Sequence, residues 1–204
     1  MQVKLEKTHQ IDAPSDQAWN VLKNINIVAE CMPGTSITER VSDDQYKGVV
    51  KLRVGPVQAV FNGTIDIIGI DESNRSITLS ANGRDTRGNS TASMHLTASV
   101  APIEGGGCEL VGSSQIKIAG KMASFGARMI NQISDQMIRQ FLENFSNRVV
   151  AEGEGSAAEE AADRVAEQPK ELNALALVWS VIVSFFRRLF GRRGGVGRRG
   201  SRRQ

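Results

Sequence analysis

Cysteine, histidine and aromatic residues are scarce in this 204-residue chain, which has two Cys, two His, one Tyr and two Trp. Cys31 and Cys108 are too few and too far apart for a disulfide framework or a zinc cluster. Neither His9 nor His95 has a second ligand at helical or loop metal spacing, so no metal site is expected. Gly105-Gly106-Gly107 is followed by neither Lys-Ser/Thr nor a helix, which excludes a phosphate loop. No carboxylate pair stands out from ordinary strand and turn charges. No catalytic residue is assigned, and the chain reads as a non-enzyme. Met1 to Lys7 alternates apolar and polar residues and has no signal-peptide h-region, so a cytoplasmic chain with reduced thiols is the expectation.

What is present is unevenly distributed. Residues 1–150 carry 15 Lys+Arg and 15 Asp+Glu and are neutral, whereas 151–171 hold seven acids against two bases. Residues 187–204 hold eight Arg and no acid, so the basic character of the chain belongs to its tail. Four segments follow: a folded domain over 1–150, an acidic flexible linker over 151–171 that can form a transient helix at Ala157–Ala166, an amphipathic, apolar membrane helix over 172–190 and an Arg/Gly-rich disordered tail over 191–204.

In the first segment Val3, Leu5, His9 and Ile11 alternate with Lys4, Glu6, Thr8 and Gln10, as in a half-buried strand. Asp12-Ala13-Pro14-Ser15 breaks it and opens a helix through Ala18, Trp19, Leu22 and Ile25. A second short helix, about Ile27 to Met32, stops at Pro33-Gly34. Residues 36–119 read as an antiparallel meander of about six strands. Its inner face carries Tyr46, Val50, Phe61, Ile65, Ile77, Leu79, Met94, Leu96, Leu110 and Ile116.

Over 121–150, Met122, Phe125, Met129, Ile133, Met137, Phe141 and Phe145 recur at steps of three or four. That spacing predicts one amphipathic helix of roughly 30 residues, about 45 Å long, able to cross the whole sheet. The fold class is therefore α+β, a curved antiparallel sheet wrapped around a long C-terminal helix. Gly120 and Gly126 on that helix, and Gly48, Gly63 and Gly112 on inner strand faces, remove side-chain volume opposite flexible methionines. Taken alone, these residues favour a filled core with Met plugging the gaps over an open pocket.

Particular segments carry a resemblance. Ala13-Pro14 with Ala18-Trp19 is a weak superfamily signal. Val54-Gly55-Pro56-Val57 with Phe61-Asn62-Gly63 adds to it, and Cys31-Met32-Pro33-Gly34 and the run Ala119-Gly120-Lys121-Met122-Ala123-Ser124-Phe125-Gly126-Ala127-Arg128-Met129-Ile130 are specific to a subgroup. Over about residues 1–150 the chain resembles the carbon monoxide dehydrogenase CoxG family of the START-like, polyketide-cyclase-related (SRPBCC) superfamily. The resemblance implies a helix-grip fold, an apolar cavity, no catalytic residues, and service to a molybdenum CO dehydrogenase or related hydroxylase at the membrane. It also reverses the preference for a filled core. The expected cavity lining is Met122, Phe125, Met129, Ile133, Met137, Phe61, Ile65, Met94, Leu96, Met32 and His9. No cofactor is tightly implied; an isoprenoid quinone or lipid is the suggested hydrophobic ligand, because the dehydrogenase must pass electrons to a membrane pool. For His9 a satisfied core histidine is preferred over a ligand contact. Cys31 reads as a buried structural thiol, with nothing cationic adjacent in sequence.

Leu172 to Phe186 is apolar except for Asn173, Ser180 and Ser184, which fall with Arg187 on one face. Fifteen helical residues reach about 22 Å, short of a roughly 30 Å hydrocarbon core. In-plane anchoring to the inner face of the cytoplasmic membrane is favoured over a span, through Leu177, Trp179, Ile182, Phe185, Phe186, Arg187, Arg188, Arg192 and Arg193. Nucleic acid is disfavoured as a partner, since the apolar run has no place on RNA. The competing functional reading is a membrane-docking adaptor that recruits the dehydrogenase and binds no small ligand.

Overall fold

The structure is a computed structural model, and it describes residues 1–54, 57–153 and 156–167. Strand β1 (Gln2–Ile11) leads into two short helices, α1 (Ser15–Leu22) and α2 (Ile25–Cys31). Six strands follow: β2 (Thr35–Arg40), β3 (Gln45–Val54), β4 (Val57–Asp71), β5 (Ser76–Asp85), β6 (Ser90–Pro102) and β7 (Cys108–Gly120). A 3-10 turn, Lys121–Phe125, precedes α3 (Gly126–Ala151) and then α4 (Ser156–Ala166).

The seven strands form one antiparallel sheet in the order β1-β7-β6-β5-β4-β3-β2. Consecutive strands pair as a meander, and the first strand closes onto the last, Val3 facing Ile116 and Ile11 facing Cys108. Alternation dictates which face is wet: Ile77 and Leu79 are buried on β5, while Thr78 and Ser80 on its other face are half-buried and polar. Gly63 stands level with Gly48 on β3 and Gly83 on β5. A Cβ at Gly63 would collide with the Asn82 carbonyl, so glycine is what permits this close strand approach.

The turn between α1 and α2 has a local cause. Asn24 caps α2, its side chain accepting from the Asn26 and Ile27 amides at 3.2 and 3.4 Å. This places Ile25 at the start of a second helix, whereas periodicity alone puts it at the end of the first. The β4–β5 turn then folds back over α1: Trp19 Nε1 donates to Glu72 Oε2 at 2.6 Å, and Arg75 pairs with Asp16 at 2.7 Å.

Two expectations are corrected. The 121–150 segment is not one continuous helix, because Gly120 (φ 78°) and Gly126 (φ 80°) flank a 3-10 turn. Their role is backbone freedom at a corner, not removal of volume along a helix. The acidic segment beyond 150, expected as a flexible linker with a transient helix at Ala157–Ala166, carries α4 as a packed helix. Ala158 and Ala161 are 7% and 0% exposed within it, and α4 packs on α3. Small alanines on one face bring the two helices close, and Arg164 Nε donates to Asn147 Oδ1 at 3.0 Å. A reading by composition weighs the exposed acids and misses that narrow apolar stripe.

Candidate functional site

The register sets the inner face out as rows across the sheet. One row runs Val3, Ile116, Met94, Ala81, Ile65 and Tyr46; the next runs Leu5, Ser114, Leu96, Leu79 and Ile67. Helix α3 presents Ile130, Ile133, Met137, Phe141, Phe145 and Val149 at steps of three or four. Its backbone comes close to α1, α2 and β1, with no comparable approach to the central strands β4 to β6.

Packing between these surfaces falls into two clusters. The larger joins α1, α2 and the end of α3 to one end of the sheet and includes Trp19, Val21, Cys108, Phe145 and Val149. Phe145, Val149, Val21 and Cys108 are all 0% exposed there. The smaller cluster closes the opposite end with Val3, Ala59, Phe61, Ile118, Met122 and Ile130. Ile65, Ala81 and Met94 point inward from adjacent strands yet belong to neither cluster, and each keeps accessible surface. Met137, on the core stripe of α3, does the same. Side chains that face a core and remain half-buried border space that protein atoms do not fill.

The expected lining residues therefore divide by position. Phe61, Met122 and Met129 come together in the smaller cluster. Leu96 packs against the larger one. Ile65 and Met94 flank Ala81 in the row between, while Ile133, buried, and Met137, half-buried, lie on the core stripe of α3. Met32 sits half-buried just after α2. Phe125 does not join them. It is 37% exposed at the end of the 3-10 turn, because the corner at Gly126 takes it off the helical stripe.

His9 is held: its Nε2 lies 2.8 Å from Ser146 Oγ, which donates to the Leu142 carbonyl at 2.8 Å. With the serine proton on that carbonyl, His9 Nε2–H is the donor of the pair. Burial lowers the His9 pKa from its ordinary value. Cys31 has an Arg148 guanidinium nearby that sequence adjacency could not reveal. Burial outweighs that charge, and its thiol is pushed up to about 12. Sequence reasoning does not pick out Ser146, Arg148, Gln140 or Thr35. Thr35 Oγ1 and Gln140 Oε1 are buried without a hydrogen-bond partner, an arrangement visible only once strands and helices are assembled.

An open groove of about 810 Å³ lies on the other, polar face of the sheet, among Asn62, Thr64, Asn82, Arg84, Ser93 and Lys117. Among the described residues, no group of three or more His, Cys, Asp or Glu is placed to hold a metal. Among them too, no helix is long and apolar enough to cross a membrane. Leu177, Trp179, Ile182, Phe185, Phe186, Arg187, Arg188, Arg192 and Arg193 lie outside the described residues.

Solved structures share this architecture. A conserved protein from Geobacillus kaustophilus superposes with a TM-score of 0.65 at 19% identity, over 72% of this chain and 95% of that one. A START superfamily protein from Mycobacterium smegmatis gives 0.53 at 13% identity, over 72% and 96%. The protein TTHA0849 from Thermus thermophilus gives 0.52 at 12%, over 76% and 100%. The domain is thus a START-like helix-grip fold. No curated protein matches the sequence significantly. A family model does: residues 8–168 match CoxG, the family named for a subunit of carbon monoxide dehydrogenase, and the chain belongs to that family. The match runs through α4, in keeping with a domain that extends beyond residue 150.

Proposed function

We propose that this protein is a non-catalytic, membrane-associated binding protein that serves a molybdenum CO dehydrogenase by carrying or presenting an isoprenoid quinone between its sheet and α3. The observation that carries the reading is the band of inward-facing, half-buried apolar residues Ile65, Ala81, Met94 and Met137 between two apolar clusters. Methionine side chains reshape around a guest at little cost, which suits a ring bearing a long isoprenoid chain. Family membership supplies the dehydrogenase as partner. The apolar run 172–186 and the arginines after it supply the attachment to the inner face of the cytoplasmic membrane.

The test is direct. Full-length protein mixed with menaquinone or ubiquinone in detergent, then analysed by native mass spectrometry, gains the mass of one quinone. Met94→Trp, which fills the band, prevents the gain while the protein stays folded. Absence of uptake by the wild-type chain, with none extracted from lipid, removes the carrier reading and leaves a docking adaptor.

A further inference from the structure

The first 150 residues are neutral in sequence, yet the fold sorts their charges to opposite ends of the sheet. The register places the β3–β4 and β5–β6 turns, the end of β7 and the 3-10 turn together at one pole. Lys51, Arg84, Arg87, Lys117, Lys121 and Arg128 are exposed there. Through residues 48–64, 81–93 and 114–131 the sole carboxylate is Asp85, which is 8% exposed on the inner face. None of those six cations enters an ion pair among the described residues, where every pair formed involves other groups. The opposite pole, at the β2–β3 and β4–β5 turns and the start of α1, gathers Asp16, Asp43, Asp44, Asp71 and Glu72, of which Asp16, Asp43 and Glu72 pair with Arg75, Arg40 and Lys23. Unpaired like charges repel one another, so a concentration of this kind is destabilising unless something anionic meets it.

Phe125, at the end of the 3-10 turn on this pole, is 37% exposed, with Lys121 and Arg128 on either side in sequence. An exposed aromatic ring beside cations matches the boundary of an anionic bilayer, where the ring enters the acyl edge and the cations meet headgroup phosphates. Single-stranded nucleic acid asks for several stacking aromatics. The sheet face beside this pole offers Thr64, Asn82, Arg84, Ser93 and Lys117 around an open groove, and no ring.

We infer that the folded domain itself docks on anionic lipid through this pole, Phe125 inward, as a second contact independent of the tail. The contact would orient the smaller apolar cluster, which closes that same end, toward the bilayer. It rests on the tail-anchoring reading only in that both place the protein at a membrane.

The experiment uses the full chain with Ser124→Cys labelled by an NBD fluorophore, and a second protein labelled at Ser73→Cys on the acidic pole. Cys31 and Cys108 are buried and leave the labelling selective. With phosphatidylglycerol-containing vesicles the probe at 124 shifts to the blue and gains intensity, and the probe at 73 does not. With pure phosphatidylcholine neither changes. Reversing Arg84, Lys117 and Lys121 to Glu lowers the apparent affinity read at 124 by about tenfold or more and weakens its salt dependence, while sedimentation with vesicles persists through the tail. A vesicle-bound protein whose probe at 124 stays in water, or equal shifts at 124 and 73, overturns the docking pole and leaves the tail anchor standing. Loss of sedimentation in the wild type overturns both.

Discussion

The α1 end of the sheet–helix sandwich is closed, whereas several inward-facing apolar residues in its middle keep accessible surface. At the α1 end, Phe145, Val149, Val21 and Cys108 have no accessible surface, and α1, α2 and α3 converge there. In the middle, Ile65, Met94 and Met137 face the same interior from the same elements yet remain half-buried. Apolar side chains occupy both regions, so hydrophobicity does not distinguish them. Helices on two sides close one region, while a single helix spans the other. The most completely buried side chains lie where three helices meet the sheet.

Mutation breaks the comparison most forcefully at Phe145. Phe145→Ala leaves a large cavity in the closed end and costs about 3–5 kcal/mol, measured as a fall in urea midpoint at unchanged m-value. Met137→Ala removes a side chain that already keeps surface, so its cost in the same assay is about 1 kcal/mol. Equal costs at the two positions would show that the middle is as tightly filled as the end.

His9 sharpens the contrast through pH. Its folded pKa is depressed by burial, so the unfolded chain binds its proton more readily. The contribution is favourable above the unfolded value of 6.5 and is lost as pH falls from there toward the folded pKa. Stability curves measured between neutral and mildly acid pH therefore slope downward toward acid, and His9→Gln flattens that part of the slope. An unchanged slope would assign the acid sensitivity elsewhere. The smallest effect concerns the thiols. Cys31, pushed up to about 12, and Cys108, also raised by burial, react with an aromatic disulfide reagent at pH 8 only as the closed end unfolds. Reaction at the rate of a free thiol would place open space beside them.

Much of the fold is legible in the sequence because it depends on short-range periodicity. Strand alternation puts Ile77 and Leu79 inward, and the spacing from Ile130 to Val149 marks the core stripe of α3. Corners are harder. Gly120 and Gly126 interrupt a helical pattern that Met122, Phe125 and Met129 continue without a break, and this is why periodicity assigns Phe125 to the interior. The buried face of α4 is hard to see because alanines give a weak periodic signal beside many acids.

Strand alternation, the core stripe of α3 beyond Gly126 and the family are written in patterns spanning a few residues, and these the chain carries without its fold. Tertiary structure alone decided that Arg148 approaches Cys31 and that Ser146 meets His9 across 137 positions. It also sorted a neutral domain into basic and acidic poles. Contacts and fields depend on distance in space, and folding brings together residues whose separation along the chain carries no trace of it.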